Sequence, residues 1–143
     1  MPSPQPIRPS DYQALAEFRY QIRRFLRFSE QAARAAGIEP QQHQLLLALR
    51  AQPEGQADIG TLAERLQVQH HSAVELVDRL SGRGLVFRTR AEQDRRHVMV
   101  ELTEQGQAEL EKLSHAHLEE LRRTGPALVE TLDALLRGTY AGK

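Results

Sequence analysis

The chain has 143 residues, no cysteine and a formal net charge of zero, and 40% of its residues are hydrophobic. This length suits a single domain over residues 1–143 with a modest core. Without cysteine there are no disulfides and no thiol-based redox sensing, and at zero net charge a nucleic-acid-binding surface must be a local feature. No apolar run approaches the ~18 residues of a membrane span, and the N-terminus has no signal-peptide pattern. We therefore expect a cytoplasmic protein with no membrane partner.

The first third of the chain predicts a proline-containing arm and two helices. Residues 1–9 hold four prolines, which is typical of a flexible segment. A long helix is expected over residues 10–36, because apolar residues recur there at spacings of three and four and a glycine follows. A second helix begins at Pro40, and its almost continuous leucines indicate burial. A loop over residues 52–56 and a short strand over residues 57–60 are expected next.

Two short helical patterns separated by a turn follow between Thr61 and Gly84. The turn is expected at residues 67–69. The second pattern runs from about His70 to Arg83, and its apolar residues fall at i, i+3, i+4 and i+7, which places them on one inward-facing stripe. Gly84 then ends the helix, because glycine readily adopts the left-handed conformation at a helix C-terminus. The stripe consists of Ala73, Leu76, Val77 and Leu80.

Two strand patterns joined by a charged loop come after this helix. Residues 86–90 and 97–102 alternate between two sides, which indicates half-buried strands. The loop over residues 91–96 carries Asp94 two residues before Arg96. We expect Asp94 to orient Arg96 through a charge-assisted hydrogen bond, and a guanidinium at the tip of a ribbon suits the negative potential of a narrow minor groove. Two helices followed by such a ribbon are typical of a winged helix-turn-helix.

The candidate contact surface for a partner is the face of the second helix that lies opposite its apolar stripe. If the partner is duplex DNA, the N-terminal half of this helix enters the major groove, where histidines bond purine edges, Val74 meets a thymine methyl and Glu75 accepts from cytosine. Arg79 is placed to contact phosphate. A solvated polar face is the alternative, since any surface helix shows this pattern. The candidate DNA-contacting residues of this helix and the wing are His70, His71, Ser72, Val74, Glu75, Arg79, Arg88, Arg90, Asp94, Arg95 and Arg96.

The charges are unevenly distributed along the chain. Six arginines and two acidic residues lie between Arg79 and His97, whereas residues 104–143 hold five basic and seven acidic residues. A basic wing beside a mildly acidic C-terminal part is consistent with phosphate contact on one side of the molecule, and chance clustering is the alternative. Seventeen of the nineteen basic residues are arginine, which suits bidentate phosphate and base contacts but is equally explained by a GC-rich genome.

The segment GLVFRTRAEQDRRHVMVELTEQG resembles the wing signature of the multiple antibiotic resistance regulator (MarR) family, in which D-x-R is followed by five residues and then by L-T-x-x-G. Asp94, Arg96, Leu102, Thr103 and Gly106 occupy these positions. The preceding segment LAERLQVQHHSAVELVDRLSGRGLV fits the helix-turn-helix of that family, and the resemblance extends more loosely over nearly the whole chain. It implies a dimeric winged-helix repressor or activator, of a kind often released from DNA by a small ligand.

The resemblance also implies how the helices outside the winged lobe are used. In that family the first and the last two helices interdigitate between subunits. We therefore expect dimerisation helices over residues 10–36 and 103–139, and a winged helix-turn-helix lobe over residues 40–102. Thr103 is the expected N-cap of the C-terminal part, and Gly125–Pro126 is expected to break it into two helices.

An effector crevice between the dimer helices and the winged lobe is a further implication of the resemblance. It would lie near Phe25, Phe28, His43 and Leu47. An aromatic-lined cavity with arginines nearby suits a small aromatic or phenolic acid. The alternative is that the two phenylalanines simply belong to the core or to a subunit interface.

No metal site, other cofactor or catalytic activity is expected. His115 and His117 are two residues apart and so face different directions on a helix, while His70 and His71 are adjacent. Convergence of His43 with either C-terminal histidine in the fold is the open alternative. The sequence contains no nucleophile elbow, phosphate-cradling glycine loop or pair of catalytic carboxylates, which argues against an enzyme.

The sequence therefore favours a mainly α-helical protein with a small β wing that acts as a homodimeric, sequence-specific regulator of transcription, expected to be a repressor. Its partner would be double-stranded DNA carrying a near-palindromic operator. The alternative is a winged-helix dimer that serves as a protein-interaction module. That alternative rests on Glu75 and Asp78, which lie on the face of the second helix opposite its apolar stripe, hereafter the reading face. Carboxylates on this face are unfavourable near phosphate unless they are paired.

Overall fold

The computed structural model describes residues 4–90 and 97–139, and it confirms a mainly α-helical fold with a small antiparallel sheet. None of the helices in this part of the chain is long and apolar enough to cross a membrane. A short 3-10 turn at Pro53–Gly55 precedes the first strand. The other elements, in chain order, are α1 (Pro9–Ala35), α2 (Pro40–Arg50), β1 (Gln56–Ala57), α3 (Ile59–Leu66), α4 (His70–Gly82), β2 (Val86–Arg90), β3 (Val98–Leu102) and α5 (Glu104–Arg137).

The described residues fall into two compact units. One contains the residues up to 29 together with those from 116 onward, and the other, the winged unit, contains residues 30–115. The winged unit is larger than the lobe expected over residues 40–102. It also includes the end of α1 and the beginning of α5, because Ala33, Leu110 and Leu113 belong to its buried core.

The core of the winged unit is centred on α2. Leu45, Leu46 and Leu49 are completely buried, as the run of leucines predicted. Pro40 occupies the first turn of α2, also as predicted, where its missing N–H costs no hydrogen bond. The helix start is reinforced by a capping box, in which the Gln42 side chain accepts a hydrogen bond from the backbone N–H of Glu39 at 3.1 Å.

The sheet has the strand order β1-β3-β2, and both pairings are antiparallel. Val86 lies opposite Leu102 and Arg88 lies opposite Val100. The strand expected over residues 57–60 is wrong in extent, because β1 ends at Ala57 and α3 begins at Ile59. The cause is a helix cap: the Asp58 carboxylate accepts a hydrogen bond from the backbone N–H of Thr61 at 2.8 Å, which turns the chain into the helix.

A tight junction joins the end of β3 to the start of α5. The Thr103 hydroxyl accepts a hydrogen bond from the backbone N–H of Gly106 at 3.0 Å, which confirms Thr103 as the N-cap. The same hydroxyl donates to the carbonyl of Gly84 at 2.6 Å, and the Thr103 N–H donates to the carbonyl of Leu85 at 3.0 Å. Gly106 is packed directly against Leu85, so that a Cβ atom on Gly106 would overlap the Leu85 carbonyl oxygen.

The other unit consists of the N-terminal part of α1 and the C-terminal part of α5. The Gln21 amide donates to the Thr131 hydroxyl at 3.1 Å, and the Arg8 guanidinium donates to the carbonyl of Gly138 at 3.0 Å. In addition, His117 Nε2 lies 2.7 Å from the Ser29 hydroxyl. These bonds connect the two helices near both ends of their contact.

The break expected at Gly125–Pro126 is wrong, because α5 continues through Pro126 to Arg137. A proline inside a helix removes one backbone hydrogen bond, here the one to the carbonyl of Arg122, four residues earlier. Both residues are exposed, so water can solvate that carbonyl. One turn earlier, the Thr124 hydroxyl donates to the Glu120 carbonyl at 2.9 Å. The loss of one bond is therefore tolerated without ending the helix.

Candidate nucleic-acid interface

The helix-turn-helix places α4 at the surface of the winged unit. The turn after α3 is made by Gln67, which adopts a left-handed conformation with φ 57° and ψ 43°, within the turn predicted at residues 67–69. The predicted apolar stripe of α4 is buried throughout, at Ala73, Leu76, Val77 and Leu80. The opposite face of α4 is therefore available to a partner.

The N-terminal half of α4 presents polar groups to solvent. His70, His71 and Glu75 are exposed, whereas Ser72 and Val74 are partly exposed. Gln69, the N-cap residue, makes no side-chain hydrogen bond to the first turn. First-turn N–H groups without a side-chain cap are donors for an external acceptor such as a phosphate or a base edge.

The N-cap of α3 also contacts the base of the wing. The Asp58 carboxylate lies 3.2 Å from Nε2 of His97, the residue immediately before β3. The pKa of Asp58 lies below its ordinary value, chiefly because the Thr61 backbone N–H donates to the carboxylate, with smaller contributions from the Thr61 side chain and His97. The Asp58 carboxylate thus caps the first helix of the helix-turn-helix and also contacts His97, next to the strand β3 of the wing.

Removing this carboxylate is expected to destabilise the protein in a pH-dependent way. Because the pKa of Asp58 is lowered on folding, its contribution is present above the unfolded-state pKa and is lost as the pH falls through the folded-state pKa. Asp58→Ala should lower the free energy of unfolding at pH 7 by about 1 kcal/mol. Asp58→Asn should keep the helix cap, because the asparagine side chain can also accept a hydrogen bond. Its free energy of unfolding should not show the decrease at low pH that protonation of Asp58 causes in the native protein. Urea denaturation of the three proteins between pH 3 and pH 7 measures both effects, and parallel pH profiles for native protein and Asp58→Asn would contradict this role.

An ion pair joins α4 to the wing. The Arg88 guanidinium on β2 donates to the Asp78 carboxylate on α4 at 2.5 Å. Sequence reasoning treated Arg88 as a candidate DNA contact and Asp78 as a charge that is unfavourable near phosphate unless it is paired, but it did not pair the two. The available signal was the alternation of β2, since Arg88 shares a face with Val86, which is buried. Pairing of Asp78 weakens the main argument for a protein-interaction module.

A second arginine of the basic segment is also used internally. The Arg83 guanidinium, just after α4, donates to the carbonyl of Gly37 at 2.5 Å. Arg79 differs, because among the described residues none bonds its guanidinium, which is exposed. Arg79 is one of the residues that line a groove of about 500 Å³. The groove is lined by Glu30, Arg34, Glu39, Pro40, Gln41, Gln42, Leu76 and Arg79.

The wing itself is described only in part. Arg90 is the last residue of β2 and is exposed. The expected contacts of Asp94, Arg95 and Arg96 fall outside the described residues. Their roles therefore stay predictions, as does every other assignment of a DNA contact in this chain.

The residues expected near an effector are distributed over both units. Phe25 and Phe28 pack edge-on against the His117 ring, with ring centroids 6.0 Å and 5.4 Å apart. His43 and Leu47 belong to α2 of the winged unit, where His43 is 4% exposed and Leu47 is 49% exposed. Sequence reasoning placed His117 on the apolar face of its helix and also considered it as a metal ligand, but did not predict its contacts with the phenylalanines. Its spacing from Leu110 and Leu113, which continues one helical face, was the signal that it points inward.

Over residues 4–90 and 97–139, no three or more histidine, aspartate or glutamate side chains are grouped so that they could hold a metal ion. His115 and His117 have separate contacts: Nε2 of His115 lies 3.6 Å from the Glu111 carboxylate, whereas His117 contacts Ser29 and the two phenylalanines. His115 and His117 are therefore engaged with different neighbours.

The comparisons with known proteins agree with this geometry. Residues 36–97 match the model of the MarR family, and no curated protein matches the chain. The chain shares its fold with AbsC, a MarR family transcriptional regulator from Streptomyces coelicolor, at a TM-score of 0.75 and 20% identity, over 94% of this chain and 93% of AbsC. It also resembles BpsR of Bordetella bronchiseptica, whose DNA binding is regulated by 6-hydroxynicotinic acid, with a TM-score of 0.64 and 23% identity over 97% of this chain and 100% of BpsR.

A further similar structure is that of the transcriptional repressor CouR bound to a 23-mer DNA duplex, with a TM-score of 0.64 and 28% identity over 85% of this chain and 89% of CouR. The solved proteins thus share a fold with most of the described chain, while the family match ends at residue 97, so that it covers the helix-turn-helix and β2 but not β3. Together, these findings show that the helix-turn-helix segment matches the MarR family model and that the chain shares the winged helix-turn-helix fold of MarR family transcriptional regulators.

Proposed function

We propose that this protein is a homodimeric repressor that binds a near-palindromic operator and is released from it by a small aromatic or phenolic effector. The observation that carries the proposal is the exposed reading face of α4, in a segment that matches the MarR family. The similarity to CouR, which was solved with a DNA duplex, supports DNA as the partner. The proposal assigns the protein no catalytic activity.

In the proposed complex, the N-terminal half of α4 lies in the major groove. His70, His71 and Ser72 supply polar groups beside the first-turn N–H groups, where hydrogen bonds to base edges or phosphates are favourable. Arg79, whose guanidinium is bonded by none of the described residues, contacts phosphate. Arg96 reaches the minor groove from the tip of the wing, and this contact rests on the sequence alone.

The proposed dimer uses an apolar stripe on the unit formed by α1 and α5. Five exposed apolar residues of α5 recur at helical spacing, and α1 exposes Tyr12, Leu15 and Leu26. An exposed apolar surface of this extent is typical of an interaction site, and the second copy of the chain is the proposed occupant. Two-fold symmetry then predicts half-sites about one helical turn, ~10 bp, apart. The stripe of α5 consists of Leu118, Leu121, Val129, Leu132 and Leu136.

The proposed effector class rests on one solved relative and on aromatic residues in this chain. BpsR responds to 6-hydroxynicotinic acid, which is a small aromatic acid. Phe25 and Phe28, together with His117, supply aromatic and polar groups suited to such a ligand. Release from DNA requires that the effector bind two dimer states with different affinity.

The test is selection of bound duplexes from a random DNA pool at about 0.15 M salt, where weak non-specific binding is suppressed. We expect the native protein to enrich a palindrome. Arg79→Ala should reduce the salt dependence of operator binding by about 0.9 in the slope of log Kobs against log salt concentration, which corresponds to one phosphate contact. Arg96→Ala should weaken operator binding by about 1–3 kcal/mol.

The matched control is Arg123→Ala, which removes an exposed arginine from α5, where it pairs with Glu120. This control should bind the operator like the native protein. If the native protein enriches no motif and none of the variants shows a sequence preference, the proposed function is contradicted. The search would then turn to a protein that binds the face of α4 that carries Glu75.

A further inference from the structure

The ion pair between Asp78 and Arg88 joins the two elements that the proposed function brings to DNA. Asp78 lies on the same face of α4 as His71 and Glu75, because residues 71, 75 and 78 are separated by four and three positions. Arg88 lies on β2, and its guanidinium donates to the Asp78 carboxylate at 2.5 Å. The reading face thus carries a carboxylate that is already neutralised from within the protein.

The pair is accessible to DNA. The Asp78 side chain is 58% exposed and the Arg88 side chain is 35% exposed. A surface ion pair of this kind contributes little to folding stability, so its main effect is on where the guanidinium is held. Arg88 shares a face of β2 with Val86, which is buried, and lies opposite Val100, which is also buried. Its stem therefore starts from the inner face of the sheet and extends toward α4, not away from the wing.

These internal bonds reduce the number of arginine side chains that are available to contact phosphate. Arg83 donates to the Gly37 carbonyl and Arg88 donates to Asp78, so two arginines of the basic segment are bonded within the protein. A carboxylate that retains an arginine lowers the affinity for any duplex, because every phosphate contact contributes regardless of sequence. The ratio of specific to non-specific binding rises where operator contacts draw the Arg88 guanidinium away from Asp78 while a non-operator duplex leaves the pair intact, because only the operator complex then gains this phosphate contact.

We propose that Asp78 is a specificity-determining residue that retains Arg88 against α4 and thereby withholds one cation from phosphate in complexes with non-operator DNA. Asp78 is a positioning residue, since it acts through Arg88. The inference rests on the proposed function, because it takes α4 and the wing as the DNA-binding surface. It goes beyond that proposal by assigning an acidic residue a role in discrimination.

The experiment measures binding of native protein and variants to the selected operator and to a scrambled duplex of equal length, between about 0.05 M and 0.2 M salt. Asp78→Asn should steepen the slope of log Kobs against log salt concentration on the scrambled duplex by about 0.9, as one additional phosphate contact requires. Its preference for the operator should fall by about threefold or more at low salt. On the scrambled duplex, Arg88→Gln should leave the native slope unchanged, because Asp78 already withholds Arg88 there, and the double variant Asp78→Asn/Arg88→Gln should return to that slope.

Two further variants distinguish the effect of releasing Arg88 from the effect of removing a negative charge. Glu75→Gln removes a carboxylate from the same face of α4, but no described residue forms an ion pair with Glu75, so this change releases no arginine. On the scrambled duplex, it should raise affinity without steepening the slope. Asp133→Asn frees Arg137 in α5, where the two side chains pair at 2.9 Å, and should leave binding to both duplexes unchanged. Circular dichroism verifies that each variant keeps its helical content.

The outcomes are distinct. On the scrambled duplex, a native slope in Asp78→Asn, an equal steepening in Glu75→Gln, or a shallower slope in Arg88→Gln alone would each overturn the inference, the last because Arg88 would then already contact phosphate. If the native protein shows no preference for any duplex, the proposed function fails. If it prefers an operator and Asp78→Asn retains the native slope and preference, only the role of Asp78 fails.

Discussion

Gly106→Ala is expected to lower the free energy of unfolding by about 3 kcal/mol, the upper part of the range for overpacked sites. A Cβ atom at this position would overlap the carbonyl oxygen of Leu85 and lie 3.0 Å from its carbonyl carbon. Both are backbone atoms, and they are held in place because the Leu85 carbonyl accepts a hydrogen bond from Thr103. Relief of the overlap must therefore move α5 away from the junction between α4 and β2.

Urea unfolding followed by circular dichroism measures this effect, with Gly82→Ala as the matched control. Gly82 lies in α4 of the same unit, and a Cβ atom there meets nothing within 4 Å. Replacement of this glycine by alanine should be neutral or should stabilise by up to about 1 kcal/mol, because alanine restricts the unfolded chain. Equal stability of Gly106→Ala and native protein would mean that the close approach to Leu85 is not a constraint on folding.

Leu132→Glu/Leu136→Glu is expected to convert the proposed dimer to monomer and to weaken operator binding by about 10²–10⁴-fold, the range over which linked binding sites strengthen one another. Leu136 is 80% exposed and Leu132 is also exposed, so neither side chain is needed for the core of the protomer. In a dimer interface, each new carboxylate would have to be buried without a partner, which is strongly unfavourable. The variant should therefore fold as a protomer but fail to associate.

Analytical ultracentrifugation at micromolar concentration measures the oligomeric state, and titration with the selected operator measures the affinity. Ala127→Glu is the control, because it adds a carboxylate on the side of α5 opposite the apolar stripe, at another exposed position. It should remain dimeric and bind DNA normally. A double variant that stays dimeric and retains its operator affinity would place the dimer contact outside this stripe.

Much of the fold could be predicted because the periodicity of this chain is strong. The stripe of Ala73, Leu76, Val77 and Leu80 predicts both the existence of α4 and its buried face, and the structure buries all four residues. The alternation in residues 86–90 predicts β2 with the observed bounds. These patterns are local consequences of burial, so they can be read from a single sequence.

The failures have different physical causes. Pro126 was expected to end a helix, but at an exposed position one lost backbone bond does not outweigh the packing of the surrounding turns. The strand expected over residues 57–60 was too long because the capping role of Asp58 was not recognised. Gly106 was known only as part of a motif, because the approach of Leu85 is a tertiary contact across 21 positions of sequence. Long-range contacts of this kind leave no periodic signal.

The candidate site was predictable to a lesser degree than the fold. The exposure of His70, His71 and Arg79 follows from their positions opposite the stripe of α4. The internal bonds of Arg83 and Arg88 do not follow from any local pattern, because their partners are Gly37 and Asp78 on other elements. A count of arginines along the sequence therefore overestimates the positive charge that is available to a partner.

The order β1-β3-β2 leaves β2 at one edge of the three-stranded sheet, so that in the described part of the chain one side of its backbone has no neighbouring strand. Exposed edges of this kind can pair with another molecule and nucleate aggregates, and charged side chains along the edge oppose such pairing. Arg88 and Arg90 place two charged residues on this edge strand, which is unfavourable for edge-to-edge pairing of β2 with another sheet. If either arginine were replaced by an apolar residue, a loss of DNA binding could not be distinguished from a loss of solubility. Glutamine or lysine is therefore the better substitution in this strand.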